Sequence, residues 1–193
     1  MQLTLGIGHV ELEKLFDELT PIRIHMTPTD EDRRWLELER PESIALVPDR
    51  GVRIVTRGRL RYAVGGLKIP ATIDRLQLLL TPKVVQADSF AHRLAFELTI
   101  EDGDLAHVPG LLDQAFVGVV NEALTPRATK MVWSFGQALT KSAILPERLE
   151  PLDRFSVEVT GGTVAVSADR VTFTVDLTAG VSRKKPRPTD DAS

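Results

Sequence analysis

The 193-residue sequence contains no cysteine, few aromatic residues and little net charge. The absence of cysteine excludes disulfides, thiolate nucleophiles and zinc–thiolate sites. Aromatic residues make up only 5% of the chain, and they lie mainly inside the periodic segments, as core residues do. A net charge of −3 gives no general attraction to nucleic acid or to an anionic membrane. The composition is that of a globular protein, and we expect no nucleic-acid partner.

Long hydrophobic runs are also missing. The longest apolar stretches, such as Ala115–Val120, are interrupted by glycine and soon followed by charge, so none predicts a membrane span. The first residues lack the basic start and apolar centre of a secretory signal. The sequence as given therefore predicts a cytoplasmic protein, or a periplasmic one if a leader has been removed.

The sequence lacks the common motifs of catalysis and metal binding. There is no P-loop, HExxH, GxSxG elbow or dinucleotide fingerprint, and His9, His25, His92 and His107 are far apart. Asp102-Gly-Asp104 lacks the other ligands of a calcium loop and predicts a turn. We expect no enzyme activity, metal or cofactor. A hydrolase with an unrecognised site is kept as the last of three alternatives, behind a lipid-binding protein and a protein-interaction module.

Most of the chain alternates apolar and polar residues, which is typical of strands with one apolar face. The clearest strand is Gly51–Val64, followed by a hairpin signal at Gly65-Gly66 and an expected bulge at Asp74-Arg75. Pro82 is expected to end the return strand, and Gly161-Gly162 to form a turn. The other predicted strands are Leu3–Ile7, Ile22–Met26, Trp35–Glu39, Ser43–Val47, Phe90–Ile100, Phe155–Val159, Val164–Val166 and Val171–Leu177.

Two segments have the helical period. Val10–Leu19 predicts a short amphipathic helix, with Leu12, Leu15, Phe16 and Leu19 on one side. Pro109–Ser142 repeats the i, i+3, i+4, i+7 pattern twice, which predicts two helices or one long helix kinked at Thr125-Pro126.

The lengths of these elements lead to a fold. A fourteen-residue strand spans about 46 Å, and the long helical stretch spans about 50 Å. We predict the α+β class, with one long, curved antiparallel sheet wrapped around one long kinked helix and a short N-terminal helix beside them. Residues 1–180 would form a single domain. Residues 181–193 would form a disordered basic tail that aids solubility or, alternatively, adds a weak membrane contact.

This order of elements resembles the tubular lipid-binding (TULIP) superfamily, in particular its small single-domain bacterial members. The resemblance rests on the strand and helix at Leu3–Leu19, the long strands through Ile100, the helical stretch with Val-Pro-Gly-Leu-Leu at 108–112 and Asn121-Glu-Ala-Leu124, and the closing strands at Phe155–Leu177. The superfamily has no catalytic signature. The resemblance implies an elongated apolar cavity between helix and sheet that holds acyl chains.

Ten apolar residues on the inner faces are the candidates to line that cavity. They could equally form a solid core. They are Phe16, Leu60, Tyr62, Leu78, Phe96, Leu98, Phe116, Val120, Met131 and Phe135. Tryptophan at Phe116 or Phe135 would distinguish the two, because it would reduce lipid uptake in a cavity and cost stability in a solid core.

The strongest charged feature is an arginine face on the predicted strand 51–64, made of Arg53, Arg57, Arg59 and Arg61. Guanidinium groups bind phosphate with two hydrogen bonds, so this face could contact anionic head groups or a membrane surface. The alternative is a solvated outer face whose charges pair with residues such as Glu97.

We therefore expect a non-catalytic protein that binds or carries lipids or fatty acyl chains. The alternative is a structural or protein-interaction module with a solid core and edge strands that pair with a partner. An edge-to-edge or end-to-end homodimer fits either shape.

Overall fold

The computed structural model of the chain describes residues 1–25, 35–64, 67–86, 92–105, 117–118, 121 and 132–184. These residues form a mostly β structure, and two short α-helices are described over their full length. The elements are β1 (Gln2–Gly8), α1 (His9–Leu19), β2 (Ile22–His25), β3 (Trp35–Val47), β4 (Gly51–Val64), β5 (Leu67–Gln86), β6 (His92–Leu105), β7 (Val132–Trp133), α2 (Phe135–Leu139), β8 (Lys141–Ile144), β9 (Leu152–Val166) and β10 (Arg170–Arg183).

The strands form two curled antiparallel sheets. The six-stranded sheet has the order β2-β3-β4-β5-β6-β7, so each strand pairs with its neighbour in sequence. The four-stranded sheet has the order β1-β10-β9-β8, which places the first strand beside the last. Because alternating strands have one apolar face, the two sheets can bury these faces against each other.

Each short helix joins the edge strands of the two sheets. α1 follows β1 at the edge of the four-stranded sheet and precedes β2 at the edge of the six-stranded sheet. α2 does the same at the opposite side, between β7 and β8. A seam between the sheets is thus bridged by a helix on each side.

The buried residues fall into two clusters. The larger cluster lies on β3, β4, β5, β6 and α1, with Leu36, Ile73, Leu76 and Leu78 completely buried. The smaller cluster centres on Phe135 of α2 and includes residues of β6, β9 and β10. The second cluster packs the seam at α2.

The predicted fold class is wrong. The α+β arrangement of one sheet around one long helix is replaced by two facing sheets and two short helices among the described residues. The physical reason is that the C-terminal strands pair with β1 rather than with β6, so they form a second sheet. This sheet covers part of the dry face that the long helix was expected to cover, and the helical residue Val117 packs against the larger buried cluster of that face.

The predicted helix over Pro109–Ser142 is wrong at its C-terminal end. Val132 and Trp133 form β7, which pairs with Leu94 and Ala95 of β6, and Lys141–Ile144 forms β8, which pairs with β9. Only the five residues of α2 lie between them as helix. Further upstream, Val117, Gly118 and Asn121 are helical, and residues 106–116, 119–120 and 122–131 lie outside the described part of the chain.

Several strand ends and turns that the sequence predicted are absent, and the strands continue through these positions. β3 runs past Pro41 with two register shifts, and β5 runs past Pro82 to Gln86. β6 contains Asp102–Asp104, where a turn was predicted, and β9 contains Gly161-Gly162 near a register shift. The expected bulge at Asp74-Arg75 coincides with a register shift between β5 and β6.

The end of the chain differs in one detail from the expected tail. β10 continues to Arg183, past the predicted start of the tail at Val181. Lys184 still hydrogen-bonds through its backbone to Pro151 and pairs with Glu150. Residues 185–193 lie outside the described residues, and their disorder stays a prediction.

Candidate functional site

A cavity of about 490 Å³ lies between the two sheets and α1. It receives residues from β1, β9 and β10 of one sheet, from all six strands of the other, and from α1. For comparison, a cavity of roughly 150 Å³ in a protein core is enough to hold benzene. The space is therefore large enough for an extended organic ligand.

The floor of the cavity is a grid of apolar residues on the six-stranded sheet. Ile54 lies opposite Leu78, and Val52 opposite Leu80, in the pairing of β4 with β5. Leu80 in turn lies opposite Leu98 of β6. Since side chains alternate along a strand, residues paired in this way share a face. Alternation in the sequence thus creates a continuous apolar surface.

α1 forms a wall of the cavity with its apolar side. Leu12, Leu15, Phe16 and Leu19 all line the space, as expected for residues at i, i+3, i+4 and i+7. The helix is fixed at its start by His9, whose Nε2 donates a hydrogen bond of 2.7 Å to the carbonyl oxygen of Ile44.

The other end of α1 is tied to β3 by an ion pair. Asp17 accepts two hydrogen bonds from Arg40, of 2.7 Å from Nε and 2.5 Å from Nη2. These two hydrogen bonds raise the pKa of Arg40 above its usual value. Because both partners are well exposed, the pair positions the helix without burying charge.

The cavity opens at the seam beside α1. Leu5, Leu15 and Leu19 line the space and are 55%, 43% and 52% exposed. An apolar side chain that contacts both solvent and the cavity marks a mouth. At the opposite seam, Phe135 is completely buried and does not line the cavity, whereas Trp133 of β7 lines it and is 44% exposed.

Among the described lining residues only three are polar, and each has a partner within the chain. The hydroxyls of Thr20 and Thr56 donate to the backbone carbonyls of Phe16 and Glu39 at 2.9 and 2.8 Å. The third, Glu39, forms an ion pair of 3.6 Å with Arg59. A buried ligand head group would therefore find few polar partners among the described residues of the wall.

The structure brings together four of the ten predicted lining residues, namely Phe16, Leu78, Phe96 and Leu98. Leu60 and Phe135 are buried but lie outside the lining. Phe116, Val120 and Met131, and the side chain of Tyr62, fall outside the described residues. Whether any of them contacts a ligand stays a prediction.

Sequence reasoning missed the contribution of the four-stranded sheet. Ile7, Val164, Val171 and Phe173 line the cavity from β1, β9 and β10, and Trp133 of β7 lines it from the other sheet. The alternation in Val171–Leu177 already placed Val171 and Phe173 on an apolar face. What the pattern did not reveal was that this face lies opposite β4, β5 and β6.

The predicted arginine face consists largely of ion pairs on the outside of the six-stranded sheet. Arg53 pairs with Glu101 at 2.7 Å, Arg57 with Glu42 at 2.7 Å and Arg59 with Glu39. Arg61 is also engaged in an interaction. Glu97, the partner expected from the sequence, pairs with Lys83 instead. Contact of these arginines with an anionic head group stays a prediction.

Glu101 connects the three strands that form the cavity floor. It accepts hydrogen bonds from Arg50 and Arg53 of the β3–β4 region and from Gln77 of β5, and its side chain is only 15% exposed. The hydrogen bond from Arg53, opposed by desolvation and aided by Gln77, lowers the pKa of Glu101 below its usual 4.5.

We expect Glu101→Gln to lower the free energy of unfolding by about 1–2 kcal/mol at neutral pH, because charge-assisted hydrogen bonds are lost. A lowered folded-state pKa gives stability that is present above the unfolded value and lost as the pH falls below 4.5 through the folded value. The variant should therefore lose less stability than the original chain in this acidic range. Urea unfolding at several pH values measures this.

Glu97→Gln is the matched control, since it removes a carboxylate from an exposed pair. Its cost should stay under about 0.5 kcal/mol. Equal losses for the two variants at neutral pH would show that Glu101 is an ordinary surface charge.

The remaining described features define no further centre. The described residues contain no group of three or more histidine, aspartate and glutamate side chains placed to hold a metal ion. Among the same residues, no helix has the length and apolar character to cross a bilayer.

The fold and the cavity define a two-sheet β protein with an apolar internal site. No protein-family profile and no curated protein matches the chain. Among solved structures it is similar to a crystal structure of lipopolysaccharide binding protein, with 12% identity and a TM-score of 0.31. The match covers 98% of this chain and 52% of the other, so the chain spans about half the length of that protein. The likeness is too distant to carry an argument about the ligand.

Proposed function

We propose that the protein binds the hydrocarbon chain of a lipid or fatty acid in the cavity between its sheets, without chemical conversion. The observation that supports this is the cavity of about 490 Å³ with an almost entirely apolar lining. Each methylene group moved from water into such a site contributes about 0.8 kcal/mol. A chain of moderate length therefore gains enough free energy to bind without any specific polar contact.

The seam at α1 is the proposed entrance. The exposed leucines at this seam would contact the part of the chain nearest to solvent, and the head group would remain in water. α1 buries only Leu12 fully, so a small displacement of the helix costs little apolar contact. Peripheral membrane contact and a homodimer remain predictions that this proposal does not require.

The first experiment is native mass spectrometry of the purified protein, followed by organic extraction and lipid analysis. A discrete added mass that extraction identifies as an acyl lipid supports the proposal. An apo mass under all conditions, together with no binding of a fluorescent fatty acid, would refute it. The solid-core interaction module would then be the better interpretation.

Leu98→Trp tests whether the cavity itself is the site. Leu98 lines the cavity from β6, so an indole at this position should fill space that a ligand needs. We expect the affinity for a fluorescent fatty acid to fall at least tenfold with little loss of stability, because the ring enters free volume.

Thr99→Trp is the matched control. Thr99 is the next residue on β6, points to the opposite face and is exposed, so the same ring added there should leave binding unchanged. If Leu98→Trp instead costs about 1–3 kcal/mol of stability, as over-packing does, and binding is unaffected, the region is solid core.

A further inference from the structure

β1 is the edge strand of the four-stranded sheet at the seam that contains the mouth of the cavity. On one side it pairs with β10 over Gln2–Gly8. Among the described residues no strand pairs with its other side, and residues 1–6 are exposed to solvent. A free strand edge therefore borders the mouth.

The ladder with β10 shows which backbone groups face this free edge. Met1 and Leu177 exchange two hydrogen bonds, of 3.0 Å and 2.8 Å. Because such doubly bonded residues recur at every second position of an antiparallel pair, the odd-numbered residues of β1 direct their N–H and C=O groups towards β10. Of the even-numbered residues, Gly8 donates its N–H to Oε2 of Glu11 at 3.1 Å. The others direct an N–H and a C=O each towards the free edge, and they are Gln2, Thr4 and Gly6.

β1 lacks the features that usually protect an exposed edge, which are charged residues, proline, bulges or a very short length. Its seven residues include no charge and no proline, and its pairing with β10 has no register shift. The edge strands β2 and β8 have four residues each and contain Arg23 and Lys141, and β7 has only two residues. Of the edges that the structure describes, β1 is thus the one best suited to accept an added strand.

The free edge is continuous with the apolar lining of the cavity. Leu5 lies between Thr4 and Gly6, lines the cavity and is 55% exposed. Side chains point to the faces of a sheet, whereas backbone polar groups point along its plane. An extended chain bound to this edge therefore lies beside the mouth, and a hydrocarbon chain attached to it can enter the cavity at Leu5.

The charges beside the mouth favour a neutral head group. α1 contains four acidic residues and one lysine, which are Glu11, Glu13, Asp17, Glu18 and Lys14. A free carboxylate between α1 and β1 would be repelled by this acidic helix. A neutral amide avoids the repulsion, and a row of amides in extended conformation matches the alternating donors and acceptors of β1.

From this juxtaposition of a free strand edge and an apolar cavity we infer that the ligand is an acyl chain joined to an extended peptide, as in a lipopeptide or an acylated protein terminus. The acyl chain occupies the cavity, and the peptide adds to the sheet as a strand beside β1. This inference rests on the proposed function.

A second copy of the chain is the other occupant that a free edge accepts. Pairing two β1 strands about a twofold axis would bring two acidic α1 helices to the same seam, where they repel each other. A peptide adds only the width of one strand, about 4.8 Å, and brings no such charge. The charge of α1 therefore favours the peptide.

The test uses three probes with the same dodecanoyl chain, each displacing a fluorescent fatty acid. They are a dodecanoyl-capped peptide of neutral residues with an amidated end, the same peptide N-methylated at every peptide bond, and methyl dodecanoate. The capped peptide should bind at least about tenfold more tightly than the other two, because N-methylation removes the donors that the carbonyl groups of β1 accept and adds only apolar surface.

Thr4→Pro blocks the edge in the protein itself. It removes an N–H that points away from β10, so the ladder keeps its hydrogen bonds, as at other prolines in edge strands. The affinity for the capped peptide should fall to that of the ester, whose own affinity should not change.

Ser142→Pro is the matched control, on the opposite edge of the same sheet. The hydrogen bond from Leu145 to Asp153 sets the same alternation on β8, so the N–H of Ser142 also points outward. β8 does not line the cavity. The affinities of all three probes should therefore match those of the original chain.

The outcomes separate this inference from the proposed function. If the three probes bind the original chain equally, the edge holds no peptide and lipid binding still stands; this comparison decides the matter even if Thr4→Pro does not fold. A dimer in sedimentation velocity that Thr4→Pro dissociates would also overturn the inference, because a second copy then occupies the edge. If neither the probes nor the fluorescent fatty acid bind, the proposed function fails, and this inference fails with it.

Discussion

Replacing Gly51 by alanine is expected to lower the free energy of unfolding by about 3 kcal/mol. Gly51 has a φ of 155°, a conformation that residues with a side chain rarely adopt. An ideal Cβ at this position would lie only 2.3 Å from the carbonyl oxygen of Leu80 and 3.1 Å from the Cα of Thr81.

The clash at Gly51 cannot be relieved by a side-chain rotation, because the opposing atoms are backbone of β5. The next residue, Val52, pairs with Leu80 in the β4–β5 ladder and both line the cavity. Moving β5 away would weaken this ladder and the cavity floor. The result should therefore include reduced ligand binding.

Gly180→Ala is the matched control for this prediction. The nearest atom to a Cβ at Gly180 is Oγ of Ser156 at 3.5 Å, an ordinary contact, so stability should stay within about 0.5 kcal/mol of the original value. Chemical denaturation of both variants measures the difference. Similar losses in the two would mean that the constraint at Gly51 is not steric.

The second large effect is expected at Gly162, where alanine should cost about 1–3 kcal/mol through over-packing. The added methyl would meet the Phe135 ring at 2.9 Å and the carbonyl oxygen of Thr174 at 3.1 Å. Phe135→Leu removes the edge of the ring, so it should relieve part of this cost when the two changes are combined.

A double-mutant cycle measures this coupling directly. We expect the combined variant to be more stable than the sum of the single losses predicts, by about 0.5–1 kcal/mol. Thr174 remains in place, so relief is incomplete. Strict additivity would show that the ring and Gly162 are not in steric contact.

Local sequence patterns were sufficient to predict those elements whose conformation is determined by their own residues. α1 and β4 have nearly the predicted bounds, because a 3.6-residue period and a strict alternation each permit one conformation. Val132 and Trp133 show where this reasoning ends. They fit a helical period, but as a β-branched and an aromatic residue they also suit a strand, and pairing with β6 decides between the two.

The site was less predictable than the strands because alternation identifies a face and not a volume. Leu60 and Leu78 are both buried on neighbouring strands, but only Leu78 borders the cavity. The role of Gly162 was also not predictable from local sequence, because the Gly161-Gly162 doublet suggested a turn. The strand continues there, and an approach by Phe135 from α2 requires the absence of a side chain. Both facts depend on residues distant in sequence.

The pairing of β1 with β10 has a consequence for how the protein forms during synthesis. Gln2 and Asp176 are joined by a hydrogen bond across 174 positions, whereas the strands of the six-stranded sheet pair with their immediate successors. At roughly 5–20 residues per second, the ribosome takes on the order of ten seconds or more to deliver the partner of β1. During that time β1 has no strand to pair with, so the six-stranded sheet can form before the four-stranded sheet is complete.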